Sequence, residues 1–126
     1  MISKVEYVLF GPDISNYNES IDSDGRSLND LVLNSITKVL INDSNSRVRV
    51  EGHANPVTNS PNEIQELSAL SANRANEIAR LLREKGVSEK QIIVVALGGT
   101  RTLAGDQARW NMNRRVELIV FQGDLN

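Results

Sequence analysis

R-V-R-V-E-G-H-A-N-P, residues 47–56, followed across a polar loop by L-S-A-L-S-A-N-R-A at residues 67–75, decides the fold. Val48 and Val50 alternate with Arg47, Arg49 and Glu51, the pattern of a strand with one apolar side. Gly52 ends the strand, and the chain turns through His53, Ala54 and Asn55. A capping signature then opens the longest amphipathic helix: Ser60 with Glu63 three residues on, and Pro61 at the first helical position. Ile64, Leu67, Ser71, Ala75, Ile78 and Leu82 keep the helical period, and Lys85-Gly86 supplies the stop. A strand end that runs into a helix gathers backbone N–H groups and side chains in one place. The His53–Asn55 turn and the neighbouring Arg74 are therefore the expected small-ligand site.

Upstream, Lys4–Phe10 is apolar and β-prone, and Gly11-Pro12-Asp13 ends it. Ile14–Gly25 reads as a polar loop. Ser27, with Asp30 three residues on, reads as a helix N-cap. Leu28, Leu31, Val32, Ile36, Val39 and Leu40 then fall on one helical face, and Asn42–Asn45 closes that helix. Downstream, Gln91–Leu97 is nearly all apolar and predicts a central strand buried on both faces. Gly98-Gly99 breaks it. Thr100–Asn113 reads as a loop with one helical turn near Gln107–Asn111, and Arg115–Phe121 alternates as a last strand. The order β-α-β-α-β-β predicts an α/β (α+β) two-layer sandwich: a mixed four-stranded sheet with helices on one face. The expected core includes Val48, Val50, Leu67, Ile78, Leu82, Ile93, Val95, Leu118 and Val120.

At 126 residues the chain is one domain, residues 1–126, with ordinary hydrophobic (40%) and charged (24%) content. No apolar run approaches the ~20 residues of a membrane helix, so no membrane insertion is expected. The first ten residues are too short and too charged for a signal peptide. Composition fits either a cytosolic protein or a piece of a longer exported one. There is no cysteine, hence no disulfide framework and no thiolate site. A net charge of −2 argues against nucleic acid as a partner. Residues 1–63 carry 5 Lys/Arg against 9 Asp/Glu, and residues 64–126 carry 9 against 7. Either this is ordinary surface charge or the C-terminal half faces an anion.

No catalytic residues are expected. His53 is the single histidine, so a metal site would need carboxylates, and no ligand spacing suggests them. A turn histidine bonded to backbone is the simpler reading. There is no G-x-S-x-G, no marked acid/base pair and no phosphate loop, so neither enzyme chemistry nor a cofactor is expected. Arg74 falls at the boundary of its helix's apolar face. It suits bidentate grip of a carboxylate, although by pattern alone a solvated arginine with its stem on apolar surface is preferred. Arg114 and Arg115 lead into the last strand and point to opposite faces. One of them reaches the site and the other is a surface charge, or both are surface charges.

G-H-A-N at a strand end, then L-S-x-x-R-A, then N-R-R-V-E at Asn113–Glu117, in this order, resemble the OmpA-like domain of outer-membrane protein A, the Pal lipoproteins and the MotB stators. The resemblance covers nearly the whole chain. It implies a non-enzymatic, periplasmic envelope domain cut from a longer exported protein. The implied partner is the peptidoglycan stem peptide, with a structural or protein–protein module among envelope proteins as the alternative. Carried over by position, Arg74 would grip a stem-peptide carboxylate, usually on diaminopimelate. Arg114 would lie close to the ligand, and His53, Ala54 and Asn55 would complete the ligand-binding turn, the His53 position being largely structural in the family.

Two positions depart from the family pattern. Asn55 stands where the family has an Asp that holds the ligand's amino group, and Pro56 follows it. Leu67 stands where the family tends to have Asn. Asn55 still accepts a hydrogen bond but carries no charge, and a charge-assisted bond is roughly twice as strong as a neutral one. The resemblance thus implies a kept carboxylate half and a weakened ammonium half. Such a site fits a stem peptide with another diamino acid such as ornithine, or an interaction module that has lost peptidoglycan.

Overall fold

The computed structural model describes residues 2–10, 23–56, 60–100 and 114–122. They form strand β1 (Ile2–Leu9), helix α1 (Ser23–Asn42), β2 (Ser46–Gly52), helix α2 (Pro61–Glu84), a 3-10 turn (Glu89–Gln91), β3 (Ile92–Ala96) and β4 (Arg115–Gln122). The strands lie in the order β1-β4-β2-β3. β4 is antiparallel to both β1 and β2, and β3 is parallel to β2. The element order and the mixed four-stranded sheet are those expected. The readings of Gly11–Asp13 and of the loop and helical turn at 101–113 lie outside the described residues.

Register explains the layering. Val48 pairs with Val120 and Val50 with Leu118, while Val8 pairs with Val116. All six are fully buried in one cluster with Leu33, Ile36 and Leu40 of α1 and Ala75, Ile78 and Leu82 of α2. Both helices therefore cover the same side of the sheet. The 3-10 turn is tied in by Gln91, whose Nε2 donates to the carbonyls of Leu40 (2.8 Å) and Ser46 (2.9 Å). One buried amide thus joins the end of α1 to the start of β2.

Three expectations are corrected. Among the described residues β3 is an edge strand, not a central one: Ile93 and Val95 are half-buried and Val94 is 39% exposed. An all-apolar run records what a strand touches on its faces, not whether both edges are paired. The strands held on two edges are β4 and β2, whose sequences alternate. α1 begins at Ser23, four residues before the expected Ser27 cap. Its buried face also turns: Leu28 (65%) and Leu31 (67%) are exposed while Asn29 is buried. Asn29 clasps the end of β1, donating from Nδ2 to the Leu9 carbonyl (3.0 Å) and accepting at Oδ1 from the Leu9 N–H (3.2 Å). That two-bond clasp puts a polar residue on the inner face and swings its leucine neighbours outward. Leu67 is only half-buried, because the α2 turn that carries it borders an open cleft.

α2 is punctuated as its sequence predicts. Ser60 Oγ accepts from the Glu63 N–H (3.2 Å), Pro61 is the first helical residue, and Gly86 takes φ of 104° just past the end. Midway, α2 is drawn onto the sheet at Gly52, where a Cβ would overlap the Ser71 carbonyl group. Backbone rests on backbone there.

Gly52→Ala is expected to cost about 3 kcal/mol or more, the upper end of overpacking, because backbone rather than a mobile side chain must yield. Ile78→Ala is expected to cost about 2–5 kcal/mol as a cavity in the core. Urea unfolding of both variants is the check. A Gly52→Ala protein as stable as the native one would mean that the close approach is not a feature of the folded state.

Candidate functional site

Four strand ends converge beside the middle of α2. Phe10, just after β1, donates its N–H to the Arg114 carbonyl (2.8 Å). Past β2, the His53 N–H reaches the Arg115 carbonyl (2.8 Å) and the Ala54 N–H reaches the Gly98 carbonyl (2.8 Å). The chain after Gly52 thus bonds once toward β4 and once toward the turn after β3. Ser71 of α2 accepts the Gly98 N–H at its Oγ (2.9 Å).

Arg74 enters this junction from α2 and is fully buried. Its Nη1 donates to the His53 carbonyl (3.1 Å), and its guanidinium lies 5.5 Å from the centroid of the Phe10 ring. The solvated helix arginine preferred on pattern alone is thereby corrected. The Gly52–Ser71 contact brings α2 so close to the sheet that a side chain one turn further on is carried inside. Arg114 comes from the opposite end of the sequence, and its Nε donates to the Phe10 carbonyl (3.2 Å). The two arginines therefore share Phe10, Arg74 at its ring and Arg114 at its carbonyl, and Arg74 also holds His53. Ala54 is buried, and Asn55 and Pro56 are half-buried beside it.

Arg115 is not a surface charge. It is 2% exposed, and its Nε pairs with Glu117 Oε1 (2.9 Å) on the sheet side away from the helices. Glu117 faces Glu51 directly across the β2–β4 pair, and Glu51 Oε2 pairs with Arg49 Nε (2.6 Å). Directly opposed like charges destabilise a sheet; here one arginine per carboxylate cancels them. The His53 ring, also buried, places Nε2 3.5 Å from Glu51 Oε1. Glu51, His53 and Glu117 each bring one ligand-type atom within 4.8 Å of the others, a donor set that zinc accepts by type. Both carboxylates are already neutralised by guanidinium groups, so the arrangement is an ion-pair network that a further divalent cation would overcharge. Sequence reading missed this cluster because it depends on the Glu51–Glu117 register, which no local spacing encodes.

Next to the Asn55–Pro56 turn opens a cleft of about 480 Å³ between β3 and the first turns of α2, lined in part by Pro56, Ile64, Leu67 and Leu97.

With this geometry in view, the family follows. The sequence matches the OmpA family over residues 27–115, and the protein belongs to that family, whose members are non-enzymatic, peptidoglycan-associated domains. The chain is 30% identical over 92 residues to the Peptidoglycan-associated lipoprotein of Buchnera aphidicola subsp. Baizongia pistaciae (strain Bp), a match covering 71% of this chain and 50% of the relative. The chain thus spans about half the length of that curated relative. Among solved structures, the peptidoglycan-associated lipoprotein from Burkholderia pseudomallei is similar at TM-score 0.72 and 23% identity, over 91% of this chain and 89% of that one. The periplasmic domain of Helicobacter pylori MotB is similar at TM-score 0.67 and 22% identity, over 95% of this chain and 76% of that one. At these identities the shared property is the fold.

Arg115→Met, which leaves the Glu117 carboxylate without its guanidinium, is expected to cost about 3 kcal/mol, the lower end for breaking a buried pair because Glu117 is 15% exposed. The double variant Arg115→Met/Glu117→Leu should recover most of that loss, since an apolar pair of similar size removes both charges. Urea midpoints of the three proteins test this. A single variant as stable as the native protein would show that the pair contributes nothing.

Proposed function

We propose that this domain associates noncovalently with peptidoglycan, binding a stem-peptide carboxylate at the sheet end formed by Phe10, His53–Asn55, Arg74 and Arg114. The observation that supports it best is that Arg74 and Arg114, 40 residues apart, each donate to a backbone carbonyl at the same end of the sheet, Arg74 to His53 after β2 and Arg114 to Phe10 after β1, with the Arg74 guanidinium also over the Phe10 ring. The relatives' names point the same way. Arg114 is half-buried and is the guanidinium from which a carboxylate would accept first. Arg74, held on the His53 carbonyl, fixes the turn that carries Asn55 and adds positive charge beneath it. Asn55 offers an amide where an ammonium group of the ligand would prefer a carboxylate.

The same reading puts the chain in the periplasm, as one domain of a longer envelope-anchored protein. No helix among the described residues is long and apolar enough to cross a membrane. One observation favours the alternative of a structural or protein–protein module: Arg74 is fully buried, so ligand contact with it requires local rearrangement.

Co-sedimentation with purified sacculi tests the proposal. The native domain should sediment. Arg114→Ala should weaken binding by about 1.5–3 kcal/mol, the range for a hydrogen bond to a charged group. With a diaminopimelate stem peptide in a calorimeter, Asn55→Asp should bind more tightly than the native domain, because a leaving-water ammonium is poorly compensated by a neutral amide. A native domain that stays in the supernatant would favour the interaction-module reading.

A further inference from the structure

The cleft beside the Asn55–Pro56 turn has a fixed floor and, among the described residues, an uncharged lining. Its floor is the Leu97–Thr100 turn, packed against α2 at Gly98 and closed over at Gly99 by Pro56 and Leu67. A Cβ on Gly98, which takes φ of 55°, would come within 3.4 Å of the Ser68 backbone nitrogen. A Cβ on Gly99 would come within 3.0 Å of Pro56 Cβ and 3.1 Å of Leu67 Cδ1. Pro56 and Leu67, from the strand-end turn and from α2, thus close on Gly99 to form one continuous apolar wall. The turn is held on both sides: the Gly98 N–H donates to Ser71 Oγ, and the Gly98 carbonyl accepts from the Ala54 N–H. The Thr100 hydroxyl donates back to the Leu97 carbonyl (2.7 Å). The shape therefore exists before any ligand arrives, which removes an ordering cost from binding.

Among the described residues, none that lines the cleft is charged. Its volume of about 480 Å³ lies in the range of small-ligand pockets. Ile64 stands at its mouth, 60% exposed. An ammonium or carboxylate carried against such a wall would lose water and gain no counter-charge from the described lining, which disfavours it. An alkyl group would gain with every methylene it buries.

We infer that the cleft receives an uncharged aliphatic side chain of the same peptide whose carboxylate is met at Arg114. The inference rests on the peptide-binding reading above and adds to it the chemical class of the neighbouring side chain. Pro56 supplies the continuity, since it follows Asn55 in the turn and forms a wall of the cleft.

The probes are two peptides that differ at the end of one side chain, acetyl-alanyl-norleucine and acetyl-alanyl-lysine, titrated by calorimetry into the intact chain. The norleucine peptide should bind about tenfold more tightly, equivalent to roughly 1.4 kcal/mol. Leu67→Asp and Ile64→Glu place a carboxylate on the wall and at the mouth, and each should abolish or reverse that preference. Ile64→Glu is an exposed substitution and keeps the test valid if Leu67→Asp fails to fold. Equal or tighter binding of the lysine peptide by the native chain would overturn the inference. So would a norleucine preference untouched by the folded variants. If neither peptide binds while sacculi still sediment the domain, the inference falls and the peptidoglycan reading stands. If the norleucine preference appears while sacculi are ignored, the cleft assignment stands and the peptidoglycan reading falls.

Discussion

The junction depends on one close approach, the backbone of α2 at Ser71 resting on Gly52 at the end of β2. Any side chain at position 52 would hold α2 off the sheet. Three consequences share that contact. Ser71 Oγ comes within reach of the Gly98 N–H. Arg74, less than one turn later, enters the interior and reaches the His53 carbonyl. The turn from His53 to Pro56 is then held between α2, β4 and the Gly98 turn. A glycine that reads in the sequence as a strand terminator is the spacing element of the site.

The two sides of the sheet end in different chemistry. Toward β1 and β4 the junction is cationic, with Arg74 and Arg114 bonded to strand-end carbonyls. Toward β3 the described lining is mostly apolar and carries no charge. Asn55 and Pro56 lie between the two. A ligand that spans both would present a carboxylate to one side and an alkyl group to the other. Beneath them, on the sheet side away from the helices, Arg49, Glu51, Arg115 and Glu117 cancel one another in pairs. Removing one member of either pair is destabilising, since it leaves a charge with little water around it.

Much of the fold was legible from local pattern. The alternation of residues 47–51, the Ser60-Pro61 start and Gly86 stop of α2, and the order of elements are all short-range signals, and the structure has them. What escaped was long-range. β3 reads as central because its five residues are apolar, yet its outer edge has no strand among the described residues. The inner face of α1 is turned by Asn29, whose partner is the backbone of Leu9, 20 residues away. The burial of Arg74 follows from the Gly52 contact with a different segment, and the Glu51–Glu117 pairing follows from strand register. The motifs themselves marked where to look, since G-H-A-N, the Arg74 helix and the Arg114 strand start do converge. The depth of each side chain is a property of the assembled layers.

The most direct test of the account is a nuclear magnetic resonance titration of the isotope-labelled chain with soluble stem-peptide fragments of peptidoglycan. The account predicts saturable shifts at the backbone amides of Ala54, Asn55 and Arg114 and at the Arg114 side chain, with the far ends of α1 and α2 unmoved. Saturable shifts confined to another surface, or none at fragment concentrations where sacculi sediment the domain, would contradict it.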